Sequence, residues 1–498
     1  MRNVSMEVRL PHRLQHDFHQ LAQRAQRRRR YPTGHTTITM TSFSTLGLDA
    51  RLLANLGSMG YEVMTPVQQQ SLPAILQGDD LIAQSETGSG KTVVFGIGLL
   101  TRLNTHNFNV QALVLCPTRE LADQVGKEIR RLASAIPNIK LLTLCGGMSY
   151  RPQSASLEHG AHIVVGTPGR ILKHLRKGSL QLTRIKTLVL DEADRMLDMG
   201  FYEDIAEIVA ATPDNKQTLL FSATYSEEIK QISASLQKNP CSVTIAASHT
   251  QNNIEQVFFE VAGKDKRIPA LVLLLNHYNP ASCVIFCNTR AQCQQVAKSL
   301  QAKGFSALAL HGDLEQRDRD QTLVRFSNKS CSILVATDVA ARGLDIKDLE
   351  AVINFELSYD PEVHIHRVGR TGRAGKSGLA LSLYLAAESH RVTAIEDYQK
   401  VPSSYSAIDR LQPDQTHDSR PPMVTLCIDG GRKNKVRPGD ILGALTGDAG
   451  IAGNKVGKID TFDRISYVAI ERNMADKALQ QLSRGKIKGR YFKARKLE

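Results

Sequence analysis

No stretch of this chain reaches the roughly 18 consecutive apolar residues that a membrane-spanning helix needs. No apolar run near its start precedes a signal cleavage site either. The expectation is a chain with neither a helical span nor a secretory signal. None of the eight cysteines (Cys116, Cys145, Cys241, Cys283, Cys287, Cys293, Cys331, Cys427) stands in a C-x-x-C pair. Eight in a chain of 498 residues do not make a disulfide framework, so neither a disulfide-knit fold nor a zinc site is expected. Low-complexity tracts are missing too. With 42% hydrophobic and 22% charged residues the composition is globular, which excludes whole-chain disorder. The expected class is a reduced, cytoplasmic, multidomain protein of about three domains.

Net charge is +14, and its location says more than its size. Residues 1–40 carry eight Arg against Glu7 and Asp17, and residues 423–498 carry 16 Lys and Arg against eight acids. The 41–422 body is neutral, with 39 basic and 39 acidic residues. Basic ends on a neutral body point to a catalytic core with appendages for a polyanion, most simply nucleic acid.

From 41 to 245, short apolar runs alternate with helical stretches. Ala112-Leu-Val-Leu-Cys116, Ile163-Val-Val165, Thr187-Leu-Val-Leu190 and Thr218-Leu-Leu-Phe221 read as buried strands ending in small or polar residues. Such alternation predicts an α/β fold with a parallel sheet, whose ligands lie at the carboxyl ends of its strands. After a polar linker at 246–254 the pattern restarts over 255–400, with Cys283-Val-Ile-Phe286, Ser332-Ile-Leu-Val335 and Ala351-Val-Ile-Asn354. Residues 401–422, punctuated by Pro402, Pro413, Pro421 and Pro422, read as a second linker. Beyond it, 423–498 is long enough for a small α+β domain, with strands at Met423–Ile428 and Ile465–Ile470, a helix at Met474–Leu482 and a basic final strand at Lys486–Leu497. Residues 1–40 show no amphipathic period and are expected to be a disordered basic extension, with Met40 as an alternative start.

The sharpest chemical signal is Gln84-Ser-Glu-Thr-Gly-Ser-Gly-Lys-Thr92, between the strand Leu81-Ile-Ala83 and the helical run Val93–Leu103. Gly88, Ser89 and Gly90 let successive N–H groups curl around a phosphate. Lys91 can reach the outer phosphates, and the Thr92 hydroxyl can ligate Mg²⁺. A Gly-rich turn alone would be weak evidence; the strand–loop–helix context and the Lys-Thr pair make it strong. Asp191, at the end of the strand Thr187–Leu190, is placed to hold the same metal through water, and Glu192 to orient and deprotonate an attacking water.

These motifs, with the literal Asp191-Glu-Ala-Asp194 and Ser222-Ala-Thr224, identify a resemblance to the DEAD-box ATP-dependent RNA helicases of superfamily 2, running over about 43–380. Gly60-Tyr-Glu-Val-Met-Thr-Pro-Val-Gln68 resembles that family's Q motif, with Met64 in place of its usual Pro, and Ser85 stands where its phosphate loop has Gly or Ala. Val284-Ile-Phe-Cys-Asn-Thr289, Ala336-Thr-Asp-Val-Ala-Ala-Arg-Gly-Leu-Asp345 and His366-Arg-Val-Gly-Arg-Thr-Gly-Arg373 match motifs of its second half. The resemblance implies two RecA-like parallel-sheet lobes and ATP with Mg²⁺ as cofactors. It implies that Gln68 reads adenine between Tyr61 and Phe43, and that Thr87 belongs to the phosphate loop. Asp194 would tie the ATP site to Ser222 and Thr224, with Gly343 and Asp345 at the ribose. His366, Arg370 and Arg373 would act on the phosphates, the two arginines as fingers, since planar guanidinium forks suit phosphate better than Lys does. RNA contacts are implied for Pro117, Thr118, Arg119, Gly146, Gly147, Thr167, Gly169 and Arg170, and for Gln316, Arg319 and Thr337. These offer hydroxyls, guanidinium groups and close-approach glycines, suited to a sugar–phosphate track and poor at reading bases.

Gly430-Gly-Arg-Lys-Asn-Lys-Val-Arg-Pro-Gly-Asp-Ile-Leu-Gly-Ala-Leu-Thr446 resembles the DbpA-type RNA-binding domain, a degenerate RRM-like fold that closes one bacterial branch of the family. An RRM stacks bases on aromatics of its sheet. Here Val424-Thr-Leu-Cys-Ile428 has none and Ile465-Ser-Tyr-Val-Ala-Ile470 only Tyr467. A phosphate-grasping surface from Arg432–Arg437, Lys455, Lys458 and the run holding Lys486, Lys488 and Arg490 is expected instead. The resemblance implies a 23S ribosomal RNA hairpin in the assembling large subunit as target, and a monomer needing no zinc and no membrane. The leading expectation is RNA-stimulated ATP hydrolysis with local, non-processive duplex opening. The rival is an ATP-gated RNA clamp that holds a site without unwinding it.

Overall fold

The computed structural model describes residues 41–85, 88–245, 254–341, 349–372, 377–412, 420–448 and 450–497. Expectations for 1–40, for most of the linker at 246–254, and for Thr87, Gly343, Asp345 and Arg373 lie outside the described residues. The chain forms two compact units, divided near residue 247.

The first unit is built on a seven-stranded sheet. Its strands are β1 (Leu81–Gln84), β2 (Ala112–Leu115), β3 (Leu141–Leu144), β4 (Ile163–Gly166), β5 (Thr187–Leu190), β6 (Gln217–Ser222) and β7 (Cys241–Thr244). They lie in the order β3-β4-β2-β5-β6-β1-β7, and every pairing is parallel. β2, β4, β5 and β6 are buried along their whole length, which is why they read as unbroken apolar runs and not as alternating ones. Two apolar layers cover the faces, one including Phe95, Ile129 and Phe221, the other Leu172, Met196 and Ile229. Parallel pairing sends every strand's carboxyl end to one edge. Because β6 lies between β5 and β1, the loop after β1, the acidic stretch after β5 and Ser222–Thr224 after β6 emerge side by side there.

The second unit carries β8 (Ile254–Glu260), β9 (Cys283–Cys287), β10 (Ala307–Leu310), β11 (Ile333–Thr337), β12 (Ala351–Asn354), β13 (Gly378–Tyr384) and β14 (Ser404–Ser406). Their order is β10-β11-β9-β12-β13-β8-β14, again parallel. Here the expected linker at 401–422 needs correcting. Ser404–Ser406 adds the edge strand beside β8, and Leu411 is buried in the lobe's core. Unpaired edge N–H and C=O groups of β8 give even a polar segment a reason to pair.

The same unit ends in a four-stranded antiparallel sheet of β15 (Met423–Ile428), β16 (Val456–Thr461), β17 (Ser466–Glu471) and β18 (Ala494–Lys496), ordered β16-β17-β15-β18. The expected basic strand over Lys486–Leu497 is shorter, because Ile487 and Arg490 close a tight turn before it. Side chains alternate across the sheet. Leu426, Ile428, Val468 and Ile470 form one core with Ala478 and Leu482 of the helix Ala475–Arg484. The opposite face is not open to solvent. Cys427 and Tyr467 pack with Val324 of the lobe's helix Gln316–Ser327, and Tyr467 is only 3% exposed. Beside them Asn328 Nδ2 donates to Thr425 Oγ1 at 2.9 Å, and the Ser330 and Thr425 hydroxyls meet. A buried hydroxyl left without a partner costs about 1–3 kcal/mol, so this polar trio fixes the register of the docked domain as well as its contact.

Candidate active site

The loop after β1 closes on itself. Gly88 and Gly90 adopt φ of +89° and +97°, where L side chains are strained. A Cβ on Gly90 would lie 2.6 Å from Gln68 Nε2. Lys91, buried at the first turn of the helix Lys91–Arg102, donates to the Ser85 carbonyl at 2.8 Å, and the Ser85 and Ser89 hydroxyls are 3.1 Å apart. The residue that departs from the family pattern thus holds the loop lysine through its backbone, while its small side chain fits. Gln68 and Thr65 grip the same loop from the helix Pro66–Gln77. Gln68 Nε2 donates to the Gly90 carbonyl at 3.4 Å, Thr65 Oγ1 donates to that of Ser89 at 2.8 Å, and Gln68 Oε1 accepts from the Thr65 N–H. Tyr61 donates to Glu128 at 2.9 Å, and its ring meets Phe43 edge-on at 6.5 Å. Phe43 is buried in the core and leaves almost no ring surface for a ligand.

Asp191 and Glu192 follow β5 and are buried. Burial pushes the Asp191 carboxyl up to about 7 against the pull of Lys91, with Glu192 adding to the rise. Glu192 takes a left-handed conformation (φ 54°) as cap of the helix Ala193–Asp198. A non-glycine there costs about 1–3 kcal/mol and persists only where the surroundings impose it. Its Oε2 lies 3.5 Å from Arg195 Nε yet makes no hydrogen bond. A charge-rich pair of carboxylates beside a lysine, one raised toward neutrality and one with an orphaned oxygen, suits a divalent cation and a polar substrate group. With the helix N-terminus facing the loop, these residues fit Mg²⁺ and a nucleotide's phosphates.

Asp194 is the hinge to β6. Its Oδ2 accepts from the Ala223 and Thr224 N–H groups at 2.9 and 3.1 Å. The link runs through backbone amides; the Ser222 hydroxyl is buried without a hydrogen-bond partner.

In the second unit, His366 is half-buried on the helix Pro361–Val368, 3.9 Å from Glu362, and Arg370 is buried just beyond it. Sequence reasoning passed over Arg367. It is 2% exposed, pairs with both oxygens of Asp338 at 2.6 and 2.7 Å, and donates to Asn288 Oδ1 and to the Glu356 carbonyl. It ties the segments around Asn288, Asp338 and His366 into one body. In the sequence it is one more cation in a basic run.

Of the residues expected on an RNA track, Arg119 lies against Gly146, 3.3 Å from where a Cβ would stand, so that glycine makes room for the guanidinium. Thr118 Oγ1 accepts from the Leu121 N–H at 3.2 Å, which makes its hydroxyl a helix cap. Thr167 precedes the helix Pro168–Arg176, Gly169 is exposed, and Arg170 reaches back to Gln153. In the second unit Gln316 donates to Asp320, Arg319 to the His311 carbonyl, and Thr337 is buried at the end of β11.

In the terminal domain, Lys455 and Lys458 are committed elsewhere. Lys455 pairs with Glu471 at 2.5 Å, and Lys458 with Asp460 and the Ser327 hydroxyl. Lys486, Lys488 and Arg490 are exposed on the turn that Ile487 anchors in the core. Lys488 (φ 51°) reaches the Lys435 carbonyl at 3.5 Å, so this turn abuts the basic stretch Arg432–Arg437. Tyr491, 67% exposed with the Lys486 ammonium 5.3 Å over its ring, is the aromatic presented there. Sequence reasoning missed it, although the adjacent aromatics Tyr491 and Phe492 within a basic run are visible there.

A glycine-rich phosphate loop and an acidic strand end on one parallel sheet, with a second sheet of the same order, define a nucleoside-triphosphate-hydrolysing motor of the helicase class. The family model of the DEAD/DEAH box helicases matches residues 65–232, that of the helicase conserved C-terminal domain 263–375, and that of the DbpA RNA binding domain 425–496. The chain is 53% identical to the ATP-dependent RNA helicase DbpA of Escherichia coli K12, over 92% of this chain and 100% of that protein. With the Bacillus subtilis protein of that name it shares 37%, over 92% and 99%. Among solved structures, Saccharomyces cerevisiae Dbp5 bound to RNA and ADP BeF3 matches with a TM-score of 0.67 at 30% identity, over 74% of this chain and 96% of that one. The chain belongs to the DEAD-box ATP-dependent RNA helicase family, in its DbpA-like branch. It is an ATP-hydrolysing RNA helicase with a C-terminal RNA-binding domain.

Proposed function

We propose that this helicase opens short RNA duplexes locally and non-processively at a 23S ribosomal RNA hairpin during large-subunit assembly, acting in the cytoplasm as a monomer. The observation that carries the reading is where the charge lies along the chain. A neutral core holds the ATP site, and the terminal domain concentrates a net +8. Likeness to DbpA over nearly the whole chain supports the target.

In this reading Lys91, Gly88, Ser89, Gly90 and the N-terminus of the helix Lys91–Arg102 hold the phosphates, and Gln68 reads the base. Thr92 and Asp191 would hold Mg²⁺, which supplies charge neutralisation at the phosphates. Glu192 deprotonates the attacking water. Asp194 passes the state of that site to the backbone at Ala223 and Thr224, and Arg370 and Arg373 stabilise the charge that develops on the transferred phosphate. Arg119, Gly146, Arg170, Gln316 and Arg319 track the RNA backbone and carry no sequence information. Lys486, Lys488, Arg490 and Tyr491 supply the address.

The test is ATPase stimulation of the full chain by a 23S hairpin fragment against a random RNA strand of equal length. The hairpin is expected to reach half-maximal stimulation at much lower concentration, with log K falling by about 0.7–0.9 per phosphate neutralised for each tenfold rise in salt. Equal stimulation by both strands would overturn the address.

The two tyrosines of the terminal domain separate stacking from docking. Tyr491→Ala is expected to weaken hairpin binding by about 1–3 kcal/mol, the worth of one stacked base. Tyr467→Ala is expected to lower the melting temperature through a loss of about 3 kcal/mol of packing, with little change in hairpin affinity. A thermal melt and a hairpin titration of each variant decide it; the opposite pattern would return base stacking to the sheet.

A further inference from the structure

Arg170 is half-buried at the start of the helix Pro168–Arg176, and its guanidinium is held from behind. Nη1 donates to Gln153 Oε1 at 2.7 Å and Nη2 to the Met148 carbonyl at 3.0 Å. Gln153 lies on the helix Tyr150–Glu158, and its amide is fixed by donation to the Cys145 carbonyl at 3.2 Å. Oε1 is therefore the acceptor, and it has a second lone pair. His174, with no exposed surface, fills it: Nε2 lies 3.1 Å from Gln153 Oε1. Nδ1 meets the Ser179 hydroxyl at 2.8 Å, which in turn meets the Tyr150 hydroxyl at 2.7 Å. The Tyr150 and His174 rings stack at 4.4 Å.

The Gln153 contact settles the tautomer. Gln153 Oε1 can only accept, so His174 carries its proton on Nε2. Nδ1 is then bare and faces the Ser179 hydroxyl, which also lies 3.2 Å from the His174 carbonyl. Burial, with Arg170 and Lys173 nearby, pushes the imidazole down to about 4, so the ring keeps a single proton at neutral pH. A buried histidine needing any two partners would not have to share an acceptor with an arginine.

We propose that Gln153, oriented by His174, is the positioning residue that presents Arg170 to the RNA backbone, and that His174 acts on RNA affinity only through Arg170. This rests on the reading of Arg170 as an RNA contact.

The experiment is a double-mutant cycle on the full chain, reading the RNA concentration for half-maximal ATPase stimulation (KM for RNA) and kcat at saturating RNA. His174→Phe keeps the stack on Tyr150 and removes both ring nitrogens. It is expected to raise KM for RNA about three- to tenfold, the worth of one hydrogen bond, with kcat within about twofold. His174→Gln, which restores an N–H donor, is expected to recover most of the loss. In an Arg170→Ala background His174→Phe is expected to add nothing. Gln153→Met serves in the same cycle should His174→Phe fold poorly. An Arg170→Ala variant with unchanged KM for RNA would sink the RNA reading itself. If Arg170→Ala raises KM while His174→Phe and Gln153→Met leave it unchanged, or raise it equally with and without Arg170, the positioning role is overturned.

Discussion

Arg370→Ala is expected to lower RNA-stimulated ATP hydrolysis by about 10³–10⁵, the usual contribution of an arginine finger, while ATP affinity stays within a few fold. The phosphate loop, Gln68 and Asp191, to which phosphate and base binding are assigned, all belong to the first unit, so ATP binding is not expected to depend on Arg370. Arg370 and Arg367 are both buried, and Arg367, three residues earlier, is held by Asp338, Asn288 and the Glu356 carbonyl. The two should therefore fail differently. Arg367→Ala would strand the half-buried Asp338 carboxylate and several buried acceptors and is expected to destabilise the second lobe, visible as a lowered melting temperature. Arg370→Ala is expected to lose turnover with ATP still bound. Nucleotide titration beside single-turnover hydrolysis separates the cases. Equal losses in ATP binding and hydrolysis would make Arg370 a ground-state contact.

Glu192→Gln is expected to cost about 10²–10⁴ in turnover, the usual worth of general-base catalysis, with ATP and RNA still bound. The substitution keeps the shape that the left-handed backbone presents and removes the basicity, together with the charge that faces Arg195 at 3.5 Å. Glu192 Oε2 has no hydrogen-bond partner, so no hydrogen bond is broken at that atom. Lys91→Ala should behave otherwise and lose nucleotide binding itself, because phosphate charge would enter a buried loop without its counter-ion. Hydrolysis by Glu192→Gln at the parental rate would remove Glu192 from the role of base.

The central strands of both lobes were legible because a strand buried on both faces must be apolar throughout, as Ala112–Leu115 and Thr187–Leu190 are. Seven strands were not read as such, β3, β7, β8, β10, β13, β14 and β16, two of them for the opposite reason. Ser404–Ser406 is an exposed edge, and Val456–Thr461 is interrupted by Gly457, Lys458 and Asp460, so neither shows a hydrophobic period. The phosphate loop was legible because its chemistry is local, a loop and the first turn of the next helix. Roles that depend on distant neighbours were not. Nothing around Tyr467 in the sequence announces that Val324, far upstream, covers it. Thr118 carried a local signal that could have been weighed more heavily: Thr followed by Arg119-Glu120 ahead of an amphipathic run is a helix-start pattern, and its hydroxyl caps that helix. Arg367 and Arg370 are the same residue type in one short motif, and nothing in the sequence shows that Asp338, Asn288 and Glu356 gather around Arg367.

The central claim is that the core supplies chemistry and the terminal domain the address. Deleting 423–498 would uncover Val324, Asn328 and Ser330, so the cleaner measurement keeps the chain whole and reverses charge at Lys486, Lys488 and Arg490 together. The quantity to read is the ratio of kcat/KM for RNA between the 23S hairpin and a random strand of equal length, for the parent and the triple variant. The account predicts that the ratio falls to about one, the hairpin losing far more kcat/KM than the random strand, since phosphate contacts in the core read no sequence. A triple variant that still prefers the hairpin as strongly as the parent would place the address elsewhere and contradict it.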